Sequence, residues 1–283
     1  MSGRESRFGR DRIKEQFEEL SNSLSKETTV YLIGGGAMTL RNQKTATKDI
    51  DLVVESREVY ERICDGLNRF GYSPQNEGDL SQEYRELRAA VILEKGDRRF
   101  DIFNHQVAGE LILTKEIKER SETVFEELDL NVRMFSNEDI FLFKSVANRP
   151  DDMGDMEVLI GVGLDFDIVV KELRRQIKET RKDEFVTSIS RKLKRLEEET
   201  GIRTDLSERV EEMNEVSKRA SEIATLPGLV EEDHSDGLKG MSIGLVETQM
   251  EYSREEVEEA VEWLEMLGKI RRESGRLVLV DED

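Results

Sequence analysis

The chain has 283 residues, enough for two domains, and 63 acidic against 43 basic residues leave a net charge of −20. A single cysteine, Cys64, excludes an internal disulfide framework and points to a reducing, cytoplasmic setting. With no run of about eighteen apolar residues, a helical membrane span is excluded. The opening residues Met1 to Ser6 lack the apolar core of a signal peptide, so no cleaved leader is expected. The basic residues comprise 27 Arg against 16 Lys, a lysine-poor balance that fits adaptation to high intracellular salt, as in a halophilic archaeon. The plainer alternative is an ordinary acidic cytoplasmic protein. In either case a nucleic-acid partner needs a local basic patch, and in molar salt its attraction is screened within about 3 Å.

In chain order, residues 10–24 read as an amphipathic helix with Ile13, Phe17 and Leu20 at helical spacing. Residues 28–33 are β-branched and apolar, a first strand, and residues 37–41 a short helix behind the glycines Gly34 to Gly36. Residues 49–54 make a second strand. Residues 56–70 make a helix with Val59, Ile63, Leu67 and Phe70 inward, Ser56 as N-cap and Gly71 just past its end. A polar loop over 73–82 borders the site in this reading. Residues 85–93 and 98–103 form a strand pair turned at Lys95-Gly96-Asp97. Residues 104–127 carry no readable period. A short strand over 131–135 follows, then a helix opened by Ser136-Asn137-Glu138-Asp139. Beyond Gly163 the pattern is helical and charged, over 166–180, 184–199 and 206–224.

The chemistry concentrates between Ile33 and Val54. Ile33-Gly34-Gly35-Gly36-Ala37 is followed, thirteen residues after Gly36, by Asp49-Ile50-Asp51-Leu52-Val53-Val54. Side chains alternate along a strand, so Asp49 and Asp51 share one face while Ile50 and Leu52 face the core. Two like charges in apolar surroundings oppose each other's ionisation, and a divalent cation resolves the conflict.

This stretch resembles the signature of the DNA polymerase β-type nucleotidyltransferase superfamily: a hydrophobic residue, Gly-Gly, a spacer, then Asp-hydrophobic-Asp. More narrowly, Gly34-Gly35-Gly36-Ala37 with Ala46-Thr47-Lys48-Asp49-Ile50-Asp51 is similar to small prokaryotic nucleotidyltransferases of type IV toxin–antitoxin systems. A further match is the segment from Asn137 through Lys144 to Asn148-Arg149-Pro150-Asp151-Asp152 and Asp155. The resemblance implies an α+β fold with a polymerase β-like mixed sheet flanked by helices. It implies Asp101, in Arg99-Phe100-Asp101-Ile102-Phe103, as the third carboxylate, with Asp49, Asp51 and Asp101 holding Mg²⁺ or, alternatively, Mn²⁺. Gly34, Gly35, Thr47 and Lys48 would then bind the nucleoside triphosphate, and Lys144 would neutralise charge as pyrophosphate leaves. The acceptor would be an RNA end or a protein hydroxyl. The alternative is a non-catalytic, antitoxin-like or transcriptional regulator that binds nucleotide or a partner through the same fold.

Three regions are expected: a nucleotidyltransferase core over 1–163, a helical region over 164–226 and a small module over 227–283. The basic run Arg174-Arg175, Lys178, Arg181-Lys182, Arg191-Lys192 and Lys194-Arg195 either lines a path for RNA or triphosphate, or is a solvated face paired with glutamates. In the last module a helix with Val257, Val261, Leu264 and Leu267 inward precedes two strands turned at Ser274-Gly275, resembling a winged helix-turn-helix. From Ser253 to Leu267 that helix carries six Glu and one Arg, poor chemistry for reading DNA. The strands are basic at Lys269, Arg271, Arg272 and Arg276, and contact with a partner protein or a second copy is the reading preferred over DNA. His105 and His234 read as loop residues and Trp263 as packing. No Walker-type motif, Ser-His-Asp set or Cys/His metal spacing is present.

Overall fold

The computed structural model describes residues 9–75, 89–107, 111–147, 149, 151–230 and 240–280. Outside them lie residues 1–8, most of the expected loop over 73–82, the start of the expected strand over 85–93, Asn148, Pro150 and His234. The chain divides into two compact units, Met1–Glu172 and Leu173–Asp283.

The first unit runs α1 (Arg10–Ser23), β1 (Thr28–Ile33), α2 (Gly34–Leu40), β2 (Ile50–Val54), α3 (Arg57–Arg69), β3 (Ser73–Pro74), β4 (Val91–Lys95) and β5 (Arg98–Asn104). It continues through β6 (Gln106–Val107), β7 (Leu111–Ile112), α4 (Lys115–Arg120), β8 (Glu122–Glu127), β9 (Leu130–Met134), α5 (Asn137–Val146) and α6 (Asp152–Val162). Among the described residues seven strands form one mixed sheet in the order β3-β4-β5-β2-β1-β9-β8. β1 lies antiparallel to β2 and parallel to β9, and β2 lies parallel to β5.

Sequence dictates which strands are central. Every residue of β2, Ile-Asp-Leu-Val-Val, is buried, so the strand must be covered on both faces. β8, Glu-Thr-Val-Phe-Glu-Glu, is charged and half exposed and occupies an edge, where unpaired backbone is safest beside charge. α1 buries Ile13, Phe17 and Leu20 at the expected period, and Phe17 packs on Phe125 of β8. In α3, Ser56 accepts from the Val59 amide as N-cap, and Ile63 and Leu67 are buried. Val59 and Phe70 are only half-buried.

Several local expectations are corrected. The helix after the glycines starts at Gly34, not at residue 37, because Gly34 takes a positive φ of 65° and turns the chain directly out of the extended Ile33. β2 begins at Ile50, leaving Asp49 just ahead of it. The unreadable stretch over 104–127 holds β6, β7, α4 and β8. The first three have six residues or fewer, too short to show a period, and the fourth is an acidic edge strand.

α7 (Phe166–Thr180) enters the second unit, which continues with α8 (Glu184–Thr200), α9 (Asp205–Ala224) and α10 (Pro227–Val230). Then come β10 (Met241–Ser242), α11 (Ile243–Met250), α12 (Arg254–Met266), β11 (Ile270–Glu273) and β12 (Arg276–Leu279). Ser253 and Glu256 form a reciprocal capping box at the start of α12, and Val257, Ala260, Val261 and Leu264 are buried. β11 and β12 pair across Ser274 and Gly275, both at positive φ as a tight primed turn requires, and β10 adds a third strand beside β12. Among the described residues no helix is long and apolar enough to cross a membrane.

Candidate active site

Strand register assembles the carboxylates. β2 and β5 pair so that Asp51 lies directly beside Asp101, and β1 places Ile33 opposite Asp51. Adjacent strands lie about 4.8 Å apart, so the two acids are neighbours on one face. Asp49, two residues before Asp51, joins them from the start of the strand. One ligand oxygen from each of the three lies within 4.8 Å of the others, and their exposures are 6, 1 and 0% for Asp49, Asp51 and Asp101. Among the described residues this is the one group of three or more side chains arranged to hold a metal ion.

Three buried acids this close cannot all ionise without a counter-charge. Burial, and then the charge of Asp49, push the Asp51 carboxyl up to about 8 against the opposing Arg149 guanidinium. Burial and Asp49 likewise raise Asp101 to about 6, against the pull of Arg99. Arg99 grips Asp101 with a two-pronged fork, Nε donating to Oδ1 at 2.6 Å and Nη2 to Oδ2 at 2.9 Å. Asp51 has nothing comparable. Both of its oxygens are buried without a hydrogen-bond partner, and Arg149 Nη2 stands 3.7 Å from Oδ1.

The glycine turn fits closely against this cluster. A Cβ at position 34 would overlap Asp51 Oδ2, and the positive φ there disfavours a side chain in any case. A Cβ at position 35 would sit 2.7 Å from Thr47 Oγ1, which itself donates to the Asp49 carbonyl at 3.1 Å. Thr47 thus packs beside the glycine turn while bonding the residue ahead of β2, and Lys48 beside it is half-buried.

Lys144, buried on α5, is engaged by the first turn of α6, 2.7 Å from Asp155 and 3.2 Å from Asp152. Burial alone would lower its pKa, but Asp152 and Asp155 outweigh that and the net shift is upward. Lys44 donates to both oxygens of Asp155 at 2.9 Å, and the Arg149 amide donates to Asp152 at 2.9 Å. His105 sits in an exposed turn at positive φ, linked to Val54 and Leu113 by its backbone. Trp263, in the second unit, is buried and donates from Nε1 to Asp183 at 2.7 Å.

From the sequence alone Arg99, Arg149, Asp152, Asp155 and Lys44 have no assigned role. Alternation along the strand does place Arg99 on the same face as Asp101. Arg149 and Lys44 lie in irregular segments, where no periodicity reports direction.

The donor set suits a hard divalent cation: only carboxylate oxygens converge, and Asp51 brings two unpartnered ones. A mixed sheet carrying such a triad beside a glycine turn is the frame of a nucleotidyltransferase. The family model described as a nucleotidyltransferase of unknown function (DUF6036) matches residues 11–198, about two thirds of the chain. The protein belongs to that family. No curated protein matches it.

Proposed function

We propose that the protein is a metal-dependent nucleotidyltransferase that moves a nucleoside monophosphate from a nucleoside triphosphate onto a hydroxyl of RNA or protein. The observation that carries this reading is the pair of buried, unpartnered oxygens of Asp51 within the Asp49–Asp51–Asp101 cluster. Such oxygens are costly unless a cation is part of the working state. Bound Mg²⁺, or Mn²⁺, would neutralise the attacking and leaving oxygens of an in-line displacement at the α-phosphorus. Asp49, Asp51 and Asp101 would hold the metal. The acceptor oxygen bonds to phosphorus, the bond to the bridging oxygen breaks, pyrophosphate leaves, and a carboxylate of the cluster, Asp101 in this reading, takes the hydroxyl proton. Gly34 and Gly35, without side chains, let phosphate approach the backbone. Thr47 and Lys48 border the nucleotide, and Lys144 adds positive charge for the departing pyrophosphate.

The order β10, α11, α12, β11, β12 supports reading the last module as a winged helix-turn-helix that meets a partner protein or a second copy. Its arginines are engaged internally: Arg271 with Glu273, Arg272 with Glu258 and Glu265, and Arg276 with the Gly240 carbonyl. Little of that charge remains for DNA phosphates. A toxin–antitoxin role, and a cytoplasmic protein of a salt-adapted archaeon, remain part of the proposal.

Labelled triphosphates of all four bases, incubated with total RNA and total protein, test the reaction. Wild type should label one of the two pools, and Asp49→Asn/Asp51→Asn should label neither. Undiminished transfer by the double variant would sink the mechanism. If triphosphates bind by calorimetry equally with and without Mg²⁺ and no label is transferred, the non-catalytic regulator is the better reading.

A further inference from the structure

Lys144 is engaged by Asp152 and Asp155, and Arg99 by both oxygens of Asp101. Arg149 is held differently. Its backbone amide donates to Asp152 Oδ2 at 2.9 Å, while Lys144 donates to the other oxygen of the same carboxylate. Its guanidinium faces Asp51 of the cluster. Yet Nη2 stops 3.7 Å from Asp51 Oδ1, beyond hydrogen-bond length, and the buried Nε has no hydrogen-bond partner.

Asp51 shows the complementary fault, with two buried oxygens unpartnered. Each unmade bond costs free energy, and a direct Arg149–Asp51 fork would satisfy both groups. The guanidinium stops short of that fork, which leaves a cation wanting at Asp51 and an anion wanting at Arg149. Phosphate oxygens with their bound metal are a ligand that answers both at once. A guanidinium suits this task better than an ammonium, because its planar donors meet two phosphate oxygens together.

We infer that Arg149 anchors the polyphosphate of the metal–nucleotide complex. Its guanidinium binds the non-bridging oxygens of the β- and γ-phosphates while Asp51 faces the metal. The inference rests on the nucleotidyltransferase reading and deepens it: Lys144 supplies charge from behind its carboxylate partners, and direct contact falls to Arg149.

Titration calorimetry of the full chain with Mg²⁺ and inorganic tripolyphosphate, a probe that needs no knowledge of the base, tests it. Arg149→Gln should weaken tripolyphosphate binding at least about tenfold, and Arg149→Lys by less, since the charge returns without the fork. Mg²⁺ should bind Arg149→Gln as tightly as wild type or tighter, because a competing cation has gone. A merely structural Arg149 would lose metal and tripolyphosphate together, which would overturn the inference, as would unchanged tripolyphosphate affinity in a cooperatively melting Arg149→Gln. If that variant does not melt cooperatively, Arg149→Lys decides, and wild-type affinity there overturns the inference. Labelled-nucleotide transfer by wild type separates the two levels: transfer with unchanged Arg149→Gln binding sinks only the Arg149 assignment, and no transfer sinks the parent reading.

Discussion

The two units handle charge in opposite ways. In the first, the acids that matter are inside: Asp51 and Asp101 are almost fully shielded from water, and the Asp51 carboxyl oxygens lack hydrogen bonds. In the second, charge sits mainly outside, in pairs such as Arg195–Glu199 and Lys218–Glu215, whose side chains are about half exposed. Exposed pairs contribute little and signal little, because water already solvates both partners. Buried, incompletely satisfied charge opposes folding, so its presence argues for a task. Net charge of −20 says nothing about the chemistry; the few carboxylates withheld from water do.

The sharpest break between the regions is a split of activity from stability. Asp49→Asn/Asp51→Asn should lower nucleotide transfer to background, yet the metal-free variant should melt no lower than wild type, since it removes buried repulsion. A marked drop in melting temperature would mean that the acids serve the fold. The same contrast appears in pH. Asp51 sits at about 8 in the folded chain against an ordinary 3.8, so between those values the folded state keeps a proton that the unfolded state has released. Stability then falls as pH rises through that window, and Asp101 adds to the fall up to about 6. Melting in EDTA from pH 5 to 8.5 should therefore decline relative to the double variant, and saturating Mg²⁺ should flatten or reverse the slope. Parallel profiles for the two proteins in EDTA would remove the buried-acid account.

Gly34→Ala tests the closeness of turn and cluster. A side chain at positive φ costs about 1–2 kcal/mol, and overlap with Asp51 adds about 1–3 more, so the melting temperature should fall clearly. An unchanged melting temperature would show that the turn has room to spare. Trp263→Phe, in the second unit, removes a buried indole hydrogen bond to Asp183, which Ser217 still serves. Loss of about 1–2 kcal/mol in denaturant unfolding is expected, with nucleotide transfer intact. Loss of transfer with retained fold would place this unit in the reaction.

Legibility in the sequence follows the same division. Period-two alternation announced that Asp49 and Asp51 share a face, and the strand pattern around Phe100 and Ile102 put Asp101 on its own strand. The seven-strand order could not be read, because register depends on which strands meet, and that information is distributed over the chain. It is register, Asp51 beside Asp101 and Ile33 opposite Asp51, that turns three separate acids into one cluster. The final hairpin was legible because Ser274-Gly275 is a local turn signal, whereas Arg149 was not, because it lies between helices in irregular chain. The basic run reads as a solvated face paired with glutamates in preference to a path for an anion. Arg195 with Glu199 and Lys194 with Glu211 take the paired alternative at those positions.

The smallest expected effect is the control on the whole comparison. Arg195 donates from Nε to Glu199 Oε1 at 2.6 Å, one turn along α8, with side-chain exposures of 59 and 48%. Short geometry invites the thought that the pair is strong. Yet an ion pair at this spacing on a helix surface contributes about 0.5 kcal/mol at most, because holding two long side chains together costs entropy and water competes for both. Arg195→Ala should move the urea midpoint barely at all, and alanine's helix propensity should offset part of the loss. The residual effect should vanish in high salt, where exposed pairs are screened. A loss above about 2 kcal/mol that persists in molar salt would be far outside the range for exposed pairs. It would show that surface charge in the second unit does structural work, and the division between the two regions would fail.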